Sequence, residues 1–361
     1  MEPTDLFYLH RCIQLAQSAT RAVYPNPYVG SVIVHQGQII GEGFHAQAGG
    51  PHAEVHAVRS VVDQEALKEA TIYVSLEPCA HYGKTPPCAD MIIQHQIPRV
   101  VIGMQDPFPK VDGGGIARLR AHGVEVQLAP DPTPFEELNK VFLTHISAQR
   151  PYIVLKWAES ADGFIAKKDD TEQAVQTSIS DVEAKRYVHR LRAMHQGILV
   201  GKHTALIDNP RLTTRKFYGL SPIRLVLDRK LDLPAELQLF QDGLETWVLN
   251  EMKDGEKGHI RYQKCEKWND WKSLLKELFQ QTKIASILVE GGQNVLQQFL
   301  DQDIWDEIHR IQSPKLLGKG IAAPTHSAHL SPHRREYLGT DIVTVYKRQA
   351  FPSQKQKGLS S

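Results

Sequence analysis

The stretch Pro51-His52-Ala53-Glu54, followed by Pro78-Cys79 and then by Cys88, decides the fold of the first half of this chain. One imidazole and two thiolates can hold Zn²⁺ tetrahedrally and leave the fourth position for water. The metal lowers the pKa of that water, so that a hydroxide can form near neutral pH. The predicted zinc ligands are therefore His52, Cys79 and Cys88, with Glu54 as the acid–base residue beside them.

The order His-x-Glu, Pro-Cys and a further Cys is the signature of zinc-dependent nucleobase deaminases, in which the glutamate moves protons and does not bind the metal. Those enzymes usually carry Cys-x-x-Cys, whereas eight residues, Ala80 to Pro87, separate the cysteines here. A structural zinc site or two unrelated buried thiols are the alternatives. A structural site normally has four protein ligands, and only His81 could compete for the fourth place. The pattern therefore favours catalysis.

Length and composition exclude several classes of protein. The 361 residues have room for two domains, and a net charge of +1 leaves no electrostatic footprint for nucleic acid. No apolar run approaches the roughly 18 residues that cross a membrane, and the first residues do not suit a secretory signal. Four cysteines in so long a chain do not form a disulfide framework. We therefore expect a cytoplasmic protein that binds neither nucleic acid nor membrane.

Hydrophobic periodicity divides the chain into two halves, each alternating strands and helices. In the first half, an amphipathic helix over residues 6–16 precedes a β-hairpin over residues 29–43, and helices and strands then alternate to residue 128. This order predicts a three-layer α/β/α domain. We place a linker at residues 144–150, and thus domains at 1–146 and 151–349. Residues 350–361 are polar and are expected to be a disordered tail.

The second half contains a turn, Glu290-Gly291-Gly292-Gln293-Asn294, between a predicted strand and a predicted helix. Glycine lets the backbone approach a ligand, and a helix N-terminus attracts phosphate. A glycine turn alone is often only a connection, and we expect residues 113–115 to be such a flexible loop. Further features are a predicted loop with Thr204 and Asp208, and the cations Lys156, Arg192 and Arg215. Together with the glycine turn they predict a pocket for a phosphorylated ligand. The residues alone leave the reaction in that pocket open.

Taken together, the two halves resemble the bifunctional deaminase–reductases of riboflavin biosynthesis over about residues 5–348. The motifs of the first half are Pro25-Asn-Pro-Tyr-Val-Gly30, Gly43-Phe-His45, Pro51-His-Ala-Glu54 and the run from Leu76 to Cys88. The long spacing between the cysteines is that of the family. The motifs of the second half are Lys156-Trp-Ala-Glu-Ser160, Thr204-Ala-Leu-Ile-Asp208, Leu212-Thr-Thr-Arg215 and Val289-Glu-Gly-Gly292.

The resemblance implies two consecutive reactions. A diaminopyrimidinone that carries a ribosylamino 5′-phosphate loses its 2-amino group as ammonia, and NADPH then reduces the ribose of the resulting aminouracil to ribitol phosphate. The implied fold is α/β, with an N-terminal cytidine-deaminase-like α/β/α domain and a C-terminal dihydrofolate-reductase-like domain. Zn²⁺ and NADPH are the implied cofactors, a phosphorylated pyrimidine is the implied ligand, and a homo-oligomer (dimer or tetramer) is the implied assembly.

The family's contacts can be carried over to residues of this chain. The deaminase substrate contacts fall on Asn26, His45, His81 and Lys84. The NADPH contacts fall on Ala158, Thr204, Asp208 and the run Gly292, Gln293, Asn294, Val295, Leu296, Gln297 and Gln298. The reductase substrate contacts fall on Lys156, Arg192, Leu212, Arg215 and Glu290. One departure concerns the cofactor contacts, because Ser178 stands where the family usually has a tryptophan.

Two other functions are compatible with parts of the sequence. One is a cytidine or tRNA-adenosine deaminase with an appended nucleotide-binding domain. The other is a zinc-stabilised nucleotide-binding module without enzymatic activity. The eight-residue gap between the cysteines and the motifs of the second half argue against both.

Overall fold

The computed structural model describes residues 1–82, 86–107, 113–326 and 330–348. The chain divides into two compact units between Ala148 and Gln149. Within the described ranges, every helix is too short or too polar to cross a lipid bilayer. The predicted tail, residues 350–361, lies outside the described residues.

The first unit is built on a mixed five-stranded sheet. Its α-helices are α1 (Pro3–Ala16), α2 (Ala53–Ser60), α3 (Cys88–Gln94), α4 (Gly114–Ala121), α5 (Thr133–Leu138) and α6 (Lys140–Ala148). Its strands are β1 (Gly30–His35), β2 (Gln38–Phe44), β3 (Thr71–Val74), β4 (Arg99–Ile102) and β5 (Glu125–Leu128), in the spatial order β2-β1-β3-β4-β5. β1 is antiparallel to β2 and β3, whereas β3, β4 and β5 are parallel. The predicted hairpin and its alternating helices and strands are all present.

Glycines in the hairpin allow two helices to pack directly on its backbone. A Cβ atom on Gly30 in β1 would lie 2.0 Å from the carbonyl oxygen of Cys12 in α1. A Cβ atom on Gly43 in β2 would lie 2.5 Å from the carbonyl oxygen of Ala53, the first residue of α2. Neither position therefore accepts a side chain without displacing a helix. The second contact fixes the N-terminus of α2, where the predicted zinc ligand His52 lies.

One prediction about the first unit is wrong. The glycines at 113–115 are not a flexible loop, because Gly114 begins α4 and the backbone N–H groups of Gly113 and Gly115 donate to the buried carboxylate of Glu77. The two units divide inside the predicted linker at residues 144–150, although α6 occupies that segment as far as Ala148. In addition, Leu6 is exposed on α1, and Asp5 takes the place on the buried face that the hydrophobic pattern gave to Leu6.

The second unit is built on a ten-stranded sheet. Its α-helices are α7 (Val182–Met194), α8 (Lys202–Asp208), α9 (Gln238–Gln241), α10 (Trp271–Thr282) and α11 (Gln293–Asp301). Its strands are β6 (Tyr152–Glu159), β7 (Phe164–Lys168), β8 (Ala174–Val175), β9 (Gly197–Gly201), β10 (Ile223–Leu227), β11 (Thr246–Asn250), β12 (Gly255–Lys257), β13 (Ile260–Lys264), β14 (Ser286–Gly291), β15 (Glu307–Gln312), β16 (Gly320–Ala322), β17 (Arg334–Leu338) and β18 (Asp341–Lys347). The sheet order is β12-β13-β11-β10-β9-β14-β6-β15-β18-β17, and β16-β7-β8 form a separate sheet.

The centre of the large sheet is parallel. The strands β13, β11, β10, β9, β14, β6 and β15 all run in one direction, so their carboxyl ends meet at one edge. In open α/β sheets, ligands bind outside that edge. The second-half prediction of α/β architecture is confirmed, but β18 does not close the sheet, because β17 pairs on its outer side. The predicted loop with Thr204 and Asp208 is helix α8, which ends where Asn209 adopts a left-handed φ of 38°.

Candidate active sites

The three predicted zinc ligands converge in the first unit. His52 Nδ1 lies 3.2 Å from Cys88 Sγ and 3.6 Å from Cys79 Sγ, and one ligand atom of each residue lies within 4.8 Å of the others. His52 caps α2, Cys88 opens α3, and Cys79 lies in the segment between β3 and α3. Among the described residues, no other set of His, Cys, Asp or Glu side chains gathers in this way. One nitrogen and two sulfur donors fit Zn²⁺ and leave its fourth position for water.

His81, on the segment between the cysteines, does not add to this cluster. His81 is exposed and is not part of the ligand group. Lys84 lies outside the described residues. The hypothesis that His81 is a fourth ligand therefore gains no support.

Glu54 lies in the first turn of α2, and only 3% of its surface is exposed. Burial raises the pKa of its carboxyl group, whereas the charge of the nearby His52 lowers it by a smaller amount. The carboxyl group also interacts with the Cys88 thiol. A glutamate with a raised pKa beside a metal site is suited to take up and release a proton. Both residues reach the same place because His52 precedes the helix and Glu54 belongs to its first turn.

The geometry favours Cys79 as a thiolate. A hydrogen bond from the Cys88 thiol, together with His52 and the Cys88 backbone N–H at 3.3 Å, lowers the pKa of Cys79 to about 4. Thiolate is the form that binds metal. The negative charge of the thiolate therefore favours binding of a cation by this cluster.

His45 and Asn26 lie next to the zinc ligands. The His45 ring is 5.6 Å from the His52 ring, edge to face. His45 Nδ1 lies 2.9 Å from the carbonyl oxygen of Pro51, which can only accept a hydrogen bond, so that Nδ1 carries the proton. Burial lowers the pKa of His45, so Nε2 is a bare acceptor that receives the Asn26 amide at 3.1 Å. The pair is held rigidly beside the site.

Glu77, directly before Pro78-Cys79, was not assigned a role from the sequence. Its Oε2 accepts the backbone N–H groups of Asp106 and Gly113, and its Oε1 accepts those of Gly115 and Ile116, at 2.9–3.2 Å. The carboxylate thereby joins the start of α4 to the segment that carries Cys79. An acidic residue at the end of an apolar strand, immediately before a ligand, was the available signal in the sequence.

The second unit contains a cavity of about 1750 Å³ that gathers most of the residues carried over for the reductase. Gln297 is the exception, because its side chain does not line the cavity and bonds Asp301 and Thr325 instead. The carried-over residues in the lining are Lys156, Ala158, Arg192, Thr204, Asp208, Leu212, Arg215, Glu290, Gly292, Gln293, Asn294, Val295, Leu296 and Gln298.

Glu290 is the centre of a charged network in this cavity. Its two carboxylate oxygens accept the Arg192 guanidinium at 2.7 and 2.9 Å, and Lys156 Nζ lies 3.6 Å from one of them. Burial alone would raise the pKa of Glu290, but Arg192 and Lys156 outweigh it and lower the pKa to about 2. Burial lowers the pKa of Lys156, and Glu290 opposes that effect. One carboxylate therefore faces two cations at the wall of the cavity.

The glycine turn after β14 brings backbone close to the cavity. Gly291 has a φ of 122°, which side chains other than glycine rarely adopt, and a Cβ atom on Gly292 would lie 3.0 Å from Thr204 Oγ1. The turn leads into α11, whose first N–H groups have no partner within the helix. These features fit a phosphate group of a dinucleotide.

Ser178, which stands where the family usually has tryptophan, also lines the cavity. Its hydroxyl accepts a hydrogen bond from Lys185 Nζ at 2.9 Å. A polar pair therefore occupies this part of the wall. Lys185 could not be predicted from the sequence, because its place depends on the orientation of α7.

Comparison with known proteins gives consistent results for both halves. Residues 151–343 match the family model of the RibD C-terminal domain, and residues 3–104 match that of the cytidine and deoxycytidylate deaminase zinc-binding region. Riboflavin biosynthesis protein RibD of Synechocystis sp. is 39% identical over 89% of this chain and 87% of its own. The corresponding protein of Aquifex aeolicus is 35% identical over 95% of this chain and 98% of its own.

A solved structure resembles the whole chain. It is a diaminohydroxyphosphoribosylaminopyrimidine deaminase/5-amino-6-(5-phosphoribosylamino)uracil reductase from Thermotoga maritima, with a TM-score of 0.85 and 34% identity, covering 95% of this chain and 98% of that one. The RibD structure from Acinetobacter baumannii has a TM-score of 0.83 and 31% identity over the same shares of the chains.

Proposed function

The chain belongs to the RibD family of bifunctional riboflavin-biosynthesis enzymes, and from that membership we propose which of its residues perform each of the two reactions. It is a zinc-dependent deaminase and an NADPH-dependent reductase. We assign the deaminase to residues 1–146 and the reductase to residues 151–349. The observation that carries the assignment is the cluster of His52, Cys79 and Cys88 with the buried Glu54 beside it.

In the deaminase, His52, Cys79 and Cys88 would hold Zn²⁺, which supplies a Lewis acid that makes water acidic near neutral pH. Glu54 takes a proton from the attacking water and delivers it to the leaving amino group, since its raised pKa suits both steps. Asn26 and His45 are proposed to orient the pyrimidine together: the Asn26 amide makes the polar contact, and the neutral His45 holds that amide in place. His81 and Lys84 are proposed to contact the 5′-phosphate.

In the reductase, NADPH would supply a hydride to C1′ of the ribosyl group after the C1′–O4′ ring bond has opened to an imine and O4′ has taken a proton to become a hydroxyl group. The N-terminus of α11, with residues Gly292 to Gln298, and Ala158, Thr204 and Asp208 are proposed to bind the cofactor. Gln297 is a weaker member of this set, because its amide is bound outside the cavity. Lys156 and Glu290 hold the ribosyl hydroxyl groups by donating and accepting hydrogen bonds, and Arg192 fixes the Glu290 carboxylate. Leu212 and Arg215 complete the substrate contacts.

The assay that tests the function follows both products of the full-length protein. With the diaminopyrimidinone 5′-phosphate, ammonia release should precede NADPH oxidation, and cytidine should give neither. Release of ammonia from cytidine at a comparable rate would favour the cytidine deaminase alternative. NADPH oxidation without prior ammonia release would contradict the proposed order of the reactions.

We also infer a cytoplasmic homo-oligomer, a dimer or tetramer, from the resemblance to the family. None of the four cysteines forms a disulfide, which agrees with a reducing compartment. Analytical ultracentrifugation of the purified protein tests the assembly, and a monomer at micromolar concentration would contradict it.

A further inference from the structure

The second unit contains a buried histidine that has no role in the assignments above. His189 lies in α7, its ring lines the large cavity, and only 5% of its surface is exposed. Its Nδ1 is buried and has no hydrogen-bond partner among the described residues. Burying a polar atom without a partner costs free energy, so a residue that is kept this way calls for an explanation.

Helix α7 and the loop at residues 213–221 are held together at two points, both one turn after His189 in the sequence. Arg192, one turn after His189, donates to the carbonyl oxygen of Thr213 at 3.2 Å. At the far end of the loop, a Cβ atom on Gly219 would lie 2.9 Å from Cβ of Ala193. The loop therefore has a fixed position next to the helix face that carries His189.

That loop brings two cations to the cavity near His189. Arg215 and Lys216 line the cavity, and both affect the charge state of the His189 ring. Arg192 is neutralised by Glu290 at 2.7 Å. In contrast, in the part of the chain that the structure describes, neither Arg215 nor Lys216 forms an ion pair; Arg215 donates only to the Thr213 hydroxyl at 3.3 Å. Two uncompensated positive charges match a phosphate monoester, which carries about −1.5 to −2 charges at pH 7.

The protonation of His189 determines which kind of ligand atom it can bind. Burial lowers the pKa of His189, and the positive charges of Arg192, Arg215 and Lys216 lower it further. Glu290 opposes this effect, but the pKa still falls to about 4, so the ring is neutral at neutral pH. A neutral imidazole has one N–H and one bare nitrogen. Buried acceptors lack partners more often than buried N–H groups do, which places the bare nitrogen at the sealed Nδ1. The proton is then on Nε2, the nitrogen that is not sealed from the cavity.

We propose that His189 is a substrate-recognition residue of the reductase, donating a hydrogen bond from Nε2 to a phosphate monoester that Arg215 and Lys216 bind at the cavity wall. The inference rests on the proposed reductase function of this cavity and adds a contact that the family pattern did not supply. A phosphate monoester occurs both on the ribosyl substrate and at the 2′ position of NADPH. We assign the contact to the substrate, since Arg215 belongs to the carried-over substrate contacts.

The test compares two replacements of His189 in the full-length protein. In His189→Gln, the amide nitrogen can donate at about the reach of Nε2, whereas in His189→Leu an apolar group of similar size removes the donor. Isothermal titration measures the dissociation constants of ribose 5-phosphate, ribose and NADPH. We expect His189→Leu to weaken ribose 5-phosphate about tenfold or more, since the lost hydrogen bond goes to a charged group. His189→Gln should retain most of the affinity, and the affinities for ribose and NADPH should not change in either variant.

Three results would overturn the inference. Unchanged binding of ribose 5-phosphate by His189→Leu would show that His189 does not contact the phosphate. Weaker binding of NADPH alone would assign the phosphate to the cofactor. Equal losses in the Leu and Gln variants would mean that the ring only fills space. Ammonia release and the thermal unfolding midpoint report whether each variant is folded. Because the titration needs no turnover, a wild-type protein that bound ribose 5-phosphate but never oxidised NADPH would contradict the proposed function and leave the phosphate site intact.

Discussion

Two buried glutamates beside the two sites keep their charge in different ways. Glu77 is surrounded by four backbone N–H groups, whereas Glu290 faces the side chains of Arg192 and Lys156. A backbone N–H group is present in every residue except proline, so a change of side chain does not remove it. The positive charge of Arg192 or Lys156, in contrast, is lost with a single substitution. The binding of the Glu77 carboxylate should therefore depend little on the side chains around it, whereas that of Glu290 depends on two of them.

The first residue-scale prediction concerns Glu77→Gln. The amide nitrogen of glutamine would replace one of the two oxygens, so two backbone N–H groups would lose their acceptor and the segment with Cys79 would lose its fixed position. We expect zinc affinity to fall about tenfold or more, as is usual when a residue that supports a metal ligand is changed. Competition with a chromophoric chelator measures it. Glu69→Gln, at an exposed position, is the control, and equal zinc affinity in the two variants would contradict the role of Glu77.

The second residue-scale prediction separates the acid–base residue from the metal ligands. Glu54→Gln should lower the rate of ammonia release by about 10²–10⁴-fold, the usual contribution of general acid–base catalysis. Its zinc content should remain that of the wild type, because Glu54 is not a ligand. Cys88→Ser should lose zinc and activity together. Zinc loss in Glu54→Gln would show that the carboxylate belongs to the metal site.

At the scale of elements, the sequence predicted long periodic segments well and short edge segments poorly. The segment from residue 181 to 195 is a long one of this kind: it forms α7, and Asp181 caps the helix by accepting the N–H of Ala184. Strands such as β12 and β17 were missed because exposed edge strands of three to five residues carry no hydrophobic alternation. The candidate zinc ligands could be picked out from the sequence because zinc chemistry dictates their residue types, and the structure brings the three side chains together. His189 was not, since its role depends on the rotation of α7 and on a distant loop.

An ion pair between α1 and β4 gives the prediction at this scale. Asp5 accepts the Arg99 guanidinium at 2.9 Å through both oxygens and also the Tyr73 hydroxyl at 2.8 Å. The hydrogen bond from Arg99 is the main reason that the pKa of Asp5 falls from 3.8 to about 2. The charged form is thus favoured in the folded state. This stabilisation is present above pH 4 and is lost as the pH falls through about 2.

Asp5→Asn should accordingly destabilise the first unit by about 2 kcal/mol at pH 7, with a smaller difference from the wild type at pH 3. Urea unfolding at the two pH values measures both. Glu65→Gln, which removes an exposed ion pair with Lys68, is the matched control and should change little. A difference between wild type and Asp5→Asn that did not shrink at pH 3 would mean that the pair does not stabilise through its charge.

At the scale of the whole molecule, the two proposed sets of active-site residues lie in different units. The deaminase set extends from Asn26 to Cys88 and the reductase set from Lys156 to Gln298, and the units divide between Ala148 and Gln149. Each unit has its own hydrophobic core. The two chemistries should therefore respond separately to substitutions.

The prediction at this scale uses one variant in each unit. Glu54→Gln should leave NADPH oxidation with pre-deaminated substrate within about twofold of wild type, as expected for independent sites that share no residues. Arg192→Gln, which loses the paired hydrogen bonds to Glu290, should lower that reaction about tenfold or more and spare ammonia release. Both half-reactions are measured on both variants. Loss of reduction in a folded Glu54→Gln protein would show that the sites are coupled.

The division of the chain at a single point also has a consequence for heredity. Alleles that inactivate the gene through the active sites should fall into two complementation groups, one on each side of codon 149. A riboflavin auxotroph that carries one copy with Glu54→Gln and a second copy with Arg192→Gln should grow without the vitamin. Two copies that are altered in the same unit should not restore growth.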